Sequence, residues 1–370
     1  MSTNPRIYLD FNATAPLVPA ARAAMVETIA DAGGNPSSIH AEGRAARHRV
    51  EAARDQVARL VARPREQIVF TSGGTEANAL GVHALAAAAE ARGLPRVVVT
   101  TPLEHPSLLG AVRALPGWTV ELATVGPDGS IAPPAVTPGL VAAAWVNHEL
   151  GTFVAPALVA WAREAHALVH VDAVQAIGKL AATELTADSI AISAHKLGGP
   201  QGVGALVLAI DGPPLVDGGH QERGRRAGTE NAIGIAGFGA AAAVIDPASW
   251  PEVAALGDRL EAGLRALPGV TIHGGSVPRI GGTSNAGFAG ARGESLVIAL
   301  DLAGIASSTG SACTSGSIQP SPVLLGLGLS VELARSAVRF SLGRTTTTAE
   351  IDRVLAVLGE LLPRVRRHNY

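Results

Sequence analysis

Short apolar runs alternate with longer runs rich in Ala, Arg and Glu through the first two thirds of the chain. The apolar runs predict strands over residues 67–70, 96–100, 119–124, 140–146, 168–171, 189–193 and 204–210. The longer runs predict helices over residues 20–32, 45–61, 75–91 and 156–167. Strands that alternate with helices form a mostly parallel sheet covered by helices on both faces. The pattern therefore predicts an α/β fold.

The pattern changes after residue 246. Residues 246–251 interrupt the alternation, and a helix over 253–267, short strands and an amphipathic helix over 349–365 follow. The chain has 370 residues, which is more than the roughly 250 to 300 that a single core usually holds. We therefore expect a large α/β domain followed by a smaller α+β domain.

Composition and net charge indicate which binding partners and which cellular compartment to expect. The formal net charge of −2 argues against nucleic acid or an anionic membrane as the main partner. The longest charge-free apolar stretch, residues 232–245, is shorter than the roughly 20 residues that cross a bilayer. Residues 1–10 lack the features of a signal peptide, and a single cysteine cannot form an internal disulfide. We expect a cytoplasmic protein.

Lysine is scarce, and its positions are informative. Among 29 basic residues only Lys179 and Lys196 are lysines. Arginine can replace lysine on a surface but cannot form a Schiff base, because its guanidinium stays protonated. Lys196 follows a predicted strand in Ser-Ala-His-Lys-Leu-Gly-Gly-Pro, so it is a candidate covalent catalyst. The single cysteine, Cys313, lies in a run of small polar residues that is untypical of a packed core.

A second strand end carries a candidate phosphate site. Gly73, Gly74 and Thr75 join the strand over 67–70 to a predicted helix. Glycines let backbone N–H groups approach an anion, and the N-terminus of a helix favours negative charge. Many helices begin in this way, so the motif is weak by itself. It is not a Walker A loop, because no Gly-Lys-Ser/Thr follows.

Three more polar clusters follow predicted strands. Asp172 comes directly after an apolar strand, and a buried carboxylate needs a partner, for which the protonated ring nitrogen of a cofactor is suitable. His105 follows the strand over 96–100, and residues 147–151 follow the strand over 140–146. The carboxyl ends of the strands are where α/β sheets collect functional groups. Together these clusters predict one site.

The sequence supports neither a metal site nor a dinucleotide-binding site. His166 and His170 have the i, i+4 spacing of a metal pair, but no third ligand is apparent, so we expect no metal. Residues 237–242 resemble part of a dinucleotide fingerprint but lie within an Ala-rich predicted helix and follow no strand.

The motifs together resemble a known family. His105, Asp172-x-x-Gln175, residues 193–196 and residues 308–313 have the order and spacing of the cysteine desulfurases. These are fold-type-I pyridoxal phosphate enzymes of the class V aminotransferase group. The likeness also covers residues 8–14, 34–38, 222–229 and 339–344. The run Thr-Gly-Ser-Ala-Cys, residues 309–313, is most similar to the housekeeping and nitrogen-fixation branch.

The resemblance implies a fold and an assembly. A large cofactor-binding α/β domain is expected over residues 15–250, with a mostly parallel sheet between helices. Residues 1–14 and 251–370 would form the small α+β domain that carries the cysteine loop. An obligate homodimer is implied, with Thr229 reaching the cofactor phosphate of the neighbouring subunit.

The resemblance also implies roles for single residues around pyridoxal 5'-phosphate (PLP). Lys196 would bind the cofactor covalently, Asp172 would pair with its pyridinium nitrogen, and Gln175 would bond its ring hydroxyl. His105 would stack on the ring and transfer a proton. The remaining cofactor and substrate contacts would come from Gly74, Thr75, Ser193 and His195 at the phosphate, and from Asn147 and Arg339 at the substrate.

One position departs from the family pattern. Residues 147–151 are usually Asn-Asn-Glu-x-Gly in the family, and the second asparagine contacts the ring oxygen of the cofactor. Here that position is His148. A neutral imidazole can donate the same hydrogen bond, so we expect His148 to keep the contact.

The implied reaction is the conversion of L-cysteine to L-alanine. Cys313 would take the sulfur as a persulfide and pass it to an acceptor protein, in iron-sulfur cluster assembly or another thiolation pathway. A selenocysteine lyase, a generic class V aminotransferase and a non-catalytic sulfur-carrier platform remain as alternatives. A lyase would need Cys313 for cysteine but not for selenocysteine, and a platform would be expected to have lost its cofactor residues.

Overall fold

The computed structural model describes residues 5–31, 33–184, 186–310 and 319–367. Its strands, in chain order, are β1 (Ile7–Tyr8), β2 (Ile68–Thr71), β3 (Val97–Thr100), β4 (Thr119–Leu122), β5 (Thr124–Val125), β6 (Ile131–Ala132), β7 (Leu140–Ala144), β8 (Leu168–Asp172), β9 (Ser189–Ser193), β10 (Gly204–Leu208), β11 (Val270–Ile272), β12 (Thr283–Phe288), β13 (Ile305–Ala306) and β14 (Ala337–Ser341).

Helices surround these strands. They are α1 (Pro19–Ala30), α2 (Ala41–Leu60), α3 (Gly74–Ala91), α4 (Pro106–Arg113), α5 (Ala155–Glu164), α6 (Ala232–Val244), α7 (Trp250–Ala266), α8 (Gly293–Leu302), α9 (Pro322–Gly326), α10 (Val331–Arg335) and α11 (Thr348–Arg367). The sequence pattern did not predict the short helix α4, which begins at a proline directly after His105.

The central sheet has the strand order β2-β10-β9-β8-β7-β3-β4 within the described ranges. Strands β9, β8, β7, β3 and β4 run parallel to one another, and β10 runs antiparallel to both of its neighbours. Most of these strands are buried along their whole length, as expected for a sheet that is covered on both faces. The predicted α/β architecture is confirmed.

The alternation along β8 determines which residues face the functional side of the sheet. Val169 and Val171 pack into the apolar cluster that also contains helix α5. His170 and Asp172 point the other way, toward α3, where both bond to the side chain of Asn78. Because successive side chains of a strand point to opposite faces, Asp172 reaches the N-terminal end of α3.

A second sheet, with the order β11-β12-β14, is antiparallel and packs with α7, α8 and α11. The N-terminal strand β1 pairs with β13, and Asp10 bridges to Ser341 of β14, so the start of the chain lies against this second unit. One continuous apolar cluster joins residues of both sheets, among them Ile190 and Phe340. The domain boundaries at residues 15 and 250 stay a prediction.

In the described part of the chain, no single helix is both long and apolar enough to cross a membrane. The segments Ala232–Val244 and Pro247–Ala266 reach that length and composition only as a pair, and they are bent by 58° at the break between them.

A buried ion pair holds the loop before α6 against the sheet. The Arg54 guanidinium makes two hydrogen bonds to the Glu222 carboxylate, at 2.7 and 2.8 Å, and Glu222 also accepts from the backbone N–H of Phe70. Glu222 and Arg223 both have positive φ, of 48° and 60°. These contacts compensate the strained backbone just before Thr229.

We therefore expect Arg54→Met to lower the free energy of unfolding by about 3 to 5 kcal/mol, because it leaves the Glu222 carboxylate buried without its partner. Urea denaturation followed by circular dichroism measures this. Arg259→Met breaks an exposed ion pair with Asp352 and is the matched control, for which we expect no measurable loss of stability. Equal losses in the two variants would contradict the assignment.

Candidate active site

The carboxyl ends of the central strands open into a cavity of about 870 Å³. Ten of the predicted site residues line it, namely Gly74, Thr75, His105, His148, Asp172, Gln175, Ser193, His195, Lys196 and Arg339. Residues from both sheets contribute, since Arg339 belongs to β14. The strand-end clusters that the sequence pointed to therefore meet in one place.

Lys196 ends a short 3₁₀ turn that follows β9. Its Nζ donates hydrogen bonds to the backbone carbonyls of Asn12, at 2.5 Å, and Ala13, at 2.8 Å. Burial and the nearby Arg339 guanidinium lower the pKa of Lys196 to about 8, against the attraction of Asp10 and Asp172. A lysine with this pKa supplies a neutral amine at a much lower pH than an exposed one.

Asp172 is buried and held at both carboxylate oxygens. Oδ2 accepts from Asn78 Nδ2 at 2.7 Å, and Oδ1 accepts from the backbone N–H of Val174 at 3.0 Å. Asn78 Oδ1 lies 3.0 Å from His170 Nε2, and His170 Nδ1 lies 2.7 Å from Ser189 Oγ. No lysine or arginine of the described ranges lies within ion-pair distance of Asp172. The site thus holds an oriented carboxylate with room for a cationic partner in the cavity.

His105 and His148 form an edge-to-face pair with ring centroids 5.3 Å apart. His105 caps helix α4, because its Nδ1 accepts from the backbone N–H of Ser107 at 3.1 Å. Burial lowers the pKa of His105, and burial together with the neighbouring His105 and Arg339 lowers the pKa of His148 well below its usual value. Both rings are therefore neutral near pH 7, as the sequence argument required for His148.

The N-terminus of α3 forms the opposite wall. The helix runs for 18 residues from Gly74, its N-cap residue makes no side-chain cap bond, and Gly74 and Thr75 of its first turn line the cavity. A Cβ at Gly74 would lie 2.8 Å from Val174 Cγ2, which explains the glycine. Ser193 and His195 lie on the same wall, and the His195 ring is bonded to Thr14 Oγ1 at 3.2 Å.

Arg339 is 5 % exposed and is fixed from two sides. Its Nη2 donates to Asp10 Oδ1 at 2.8 Å, and its Nη1 donates to the backbone carbonyl of His148 at 3.2 Å. Its Nε has no hydrogen-bond partner in the described part of the chain. Arg339 also lines the cavity, and a guanidinium there favours binding of an anion.

The arrangement matches a known family. The family model described as aminotransferase class-V aligns with residues 7–354. A relative from Cereibacter sphaeroides, named cysteine desulfurase, is 42 % identical over 98 % of this chain and 97 % of its own length. The chain belongs to the class-V aminotransferases, among the cysteine desulfurases.

Solved structures agree with this membership. A protein described as NifS-like superposes with a TM-score of 0.86 at 31 % identity, covering 97 % of this chain and all of the other. A structure described as SspA in complex with cysteine superposes with a TM-score of 0.76 at 28 % identity, covering 91 % of this chain and 98 % of the other. The fold and the family predicted from the sequence are confirmed.

Two predicted site residues of this class-V aminotransferase do not line the cavity. Asn147 lies behind its wall, where Nδ2 donates to the Leu103 carbonyl and Oδ1 accepts from the N–H groups of Glu149 and Leu150. These bonds use the amide oxygen and one N–H of Nδ2, so Asn147 shapes its loop, and its contact with substrate stays a prediction. Thr229 is exposed. Cys313 lies outside the described residues.

Two further residues of the site were not predicted from the sequence. Asn12 lines the cavity, and its carbonyl accepts from both Lys196 and Gln175. Glu104 is buried beside His105 and accepts from Thr101 Oγ1 and the backbone N–H of Ala144, and burial raises its pKa to about 8. Asn12 stood within a motif that carried the family resemblance, and Glu104 stood next to His105, but neither showed its contacts in the sequence.

Proposed function

We propose that this chain is a PLP-dependent cysteine desulfurase, which converts L-cysteine to L-alanine and carries the sulfur as a persulfide on Cys313. The observation that carries the proposal is that Lys196, with its lowered pKa, and the oriented Asp172 carboxylate face one cavity. The chain belongs to a family whose relatives bear this name. L-Cysteine as the substrate is supported by the neighbour described with cysteine bound.

The residues of the cavity fit PLP on their chemistry. Lys196 supplies an amine, Asp172 supplies a carboxylate without a described ion-pair partner, and the uncapped N-terminus of α3 supplies N–H donors for a phosphate. Ser193 and His195 add polar groups on the phosphate side. His105 lines the same cavity and would stack on the cofactor ring. Gln175 and Asp172 also line it.

PLP, when bound, withdraws electrons from the substrate and so acidifies its Cα–H bond. The protein's own groups do the rest. Asp172 would supply the carboxylate that stabilises a protonated ring nitrogen. Arg339, held by Asp10 and by the His148 carbonyl, would offer its guanidinium charge to the substrate carboxylate and so orient the Cα–H bond.

Lys196 moves the proton. Near its pKa of about 8 the amine is neutral often enough to accept the Cα proton at Nζ and to return it later. The Cys313 thiolate would attack the sulfur of L-cysteine, so that an S–S bond forms while the substrate's C–S bond breaks. The electron pair of that bond stays with Cβ, which takes up a proton to become the methyl group of L-alanine. His105, whose Nδ1 is occupied by Ser107, has Nε2 available for proton transfer in this step.

The assembly belongs to the same proposal. A homodimer would bring Thr229 to the phosphate of the neighbouring site, which agrees with its exposure in the single chain. The persulfide would be transferred to an acceptor protein, as in iron-sulfur cluster assembly or another thiolation pathway. We expect this chemistry in the cytoplasm.

A direct test uses the purified protein with PLP. Wild type should be yellow and should form alanine and sulfide from L-cysteine, whereas Cys313→Ser should keep its colour and lose sulfide release. A Cys313→Ser variant that still releases selenium from selenocysteine at the wild-type rate would favour a selenocysteine lyase. A colourless wild type would favour the platform alternative.

The pKa of Lys196 predicts how PLP capture depends on pH. Because the pKa falls from 10.5 to about 8, the neutral amine becomes abundant above pH 8. The rate of covalent capture of PLP by the apoprotein should therefore rise with pH, with a midpoint near 8. Stopped-flow absorbance between pH 6 and pH 10 measures this rate. A midpoint near that of free lysine would contradict the assignment, and Lys196→Ala should show no covalent capture at all.

A further inference from the structure

The second lysine of the chain lies beside the proposed cofactor site. Lys179 Nζ donates to Gln175 Oε1 and to Asn12 Oδ1, both at 3.1 Å. The ammonium also lies 5.1 Å from the ring centroid of Trp250. Both lysines are thus bonded to Asn12, Lys179 through its side chain and Lys196 through its backbone carbonyl.

These contacts determine which way the Gln175 amide points. Burial lowers the pKa of Lys179 to about 7, but even the neutral amine keeps two N–H donors, one for Gln175 Oε1 and one for Asn12 Oδ1. The Asn12 carbonyl can only accept, so the atom 3.0 Å from it must be Gln175 Nε2. Two independent partners therefore fix the same orientation of the amide.

The orientation decides what Gln175 offers to the cavity. One N–H of Nε2 is used by the Asn12 carbonyl, and the oxygen is turned back to Lys179. The second N–H is left for a group in the cavity that Gln175 lines. A donor at this position stabilises an oxygen that carries negative charge, whereas the amide oxygen would repel it.

We propose that Lys179 is a positioning residue that holds the Gln175 amide with its nitrogen toward the ring oxygen of the cofactor. The inference rests on the proposed function, because it takes PLP as the occupant of the cavity. Without Lys179 the amide is held by the Asn12 carbonyl alone, so its nitrogen is kept toward the ring oxygen less strongly.

The amino-acid usage of the chain agrees with this role. Arginine stands at every other basic position except Lys196. The space between Trp250, Gln175 and Asn12 suits a compact ammonium with donors on a flexible stem, and a planar guanidinium is larger and presents its donors in a fixed fork. A purely electrostatic need for a cation would have been met by arginine, as it is at Arg344, which also contacts Trp250.

The test is a double-mutant cycle on PLP binding by the apoprotein. Wild type, Lys179→Met, Gln175→Met and the double variant are titrated with PLP, and the dissociation constant and the absorption maximum of the bound cofactor are recorded. Lys179→Met should weaken binding about ten-fold, the loss expected for one hydrogen bond to a charged group. When Gln175 is already replaced by methionine, Lys179→Met should weaken PLP binding by less than about two-fold, because Lys179 acts through Gln175.

A second variant keeps the inference testable if Lys179→Met does not fold. Gln175→Glu preserves the bond to Lys179 but puts an oxygen where the second N–H of Gln175 stood. It should weaken PLP binding at least as much as Lys179→Met and shift the absorption maximum in the same direction. Melting curves followed by circular dichroism report whether each variant is folded.

The outcomes separate the inference from the proposed function. Wild-type protein that takes up no PLP overturns both. If wild type binds PLP and Lys179→Met binds it equally well, or weakens it by the same factor with and without Gln175, only the role of Lys179 fails. Gln175→Glu that binds PLP like wild type overturns the donor orientation.

Discussion

Replacing Lys196 by alanine lowers kcat for alanine formation from L-cysteine by at least about 1,000-fold. The variant loses the group that accepts and returns the Cα proton, a contribution of roughly 10² to 10⁴ in rate, and it also loses the covalent attachment of PLP. Alanine formation is measured by a coupled dehydrogenase assay. The cavity keeps Asp172 and the N-terminus of α3, so PLP should still bind reversibly.

The melting temperature of Lys196→Ala serves as the control for correct folding. Among the described residues its amine bonds the carbonyls of Asn12 and Ala13, which can accept from water when the amine is removed. The melting temperature should therefore stay close to that of wild type. A variant that melts normally and still forms alanine at more than a tenth of the wild-type rate would exclude Lys196 as the base.

Asp172→Asn should lower kcat by about 100- to 1,000-fold, the range seen when a preorganised electrostatic group is removed from an active site. The amide has the shape of the carboxylate but no charge to stabilise a protonated ring nitrogen. Its nitrogen also meets a donor, because both oxygens of Asp172 accept in the structure.

Asn78→Ala separates charge from orientation. It removes the bond to Asp172 Oδ2 and leaves the bond from the Val174 N–H, so the charge remains but is held at one oxygen only. We expect a loss of about ten-fold, corresponding to one hydrogen bond. If Asn78→Ala costs as much as Asp172→Asn, orientation and not charge is the main contribution of Asp172.

The pattern of apolar and polar residues predicted the buried strands of the central sheet and the polar residues at their ends. The buried strands β7, β8 and β9 read as apolar runs, and the polar residues that follow them lie at the cavity as expected. Helix α4 was missed, because its start at Pro106 looks like a turn until His105 is known to cap it.

The sequence pattern could not predict hydrogen bonds between residues that lie far apart along the chain. Asn12 joins Gln175, Lys179, Lys196 and Thr283, which lie more than 160 positions away along the chain. Nothing in the local sequence shows these partners, since each bond depends on how the N-terminal segment packs against both sheets. For the same reason the sequence did not show that the Asn147 amide bonds to its own loop and to the Leu103 carbonyl.

Mass spectrometry of the Cys313 peptide tests the central claim most directly. Holoenzyme is treated with one equivalent of L-cysteine without reductant and then alkylated, and wild type is compared with Lys196→Ala. The account predicts one added sulfur atom on Cys313 in wild type, with an equal amount of L-alanine, and neither in Lys196→Ala. Alanine formed by wild type without sulfur on Cys313, or sulfur on Cys313 in Lys196→Ala, would contradict it.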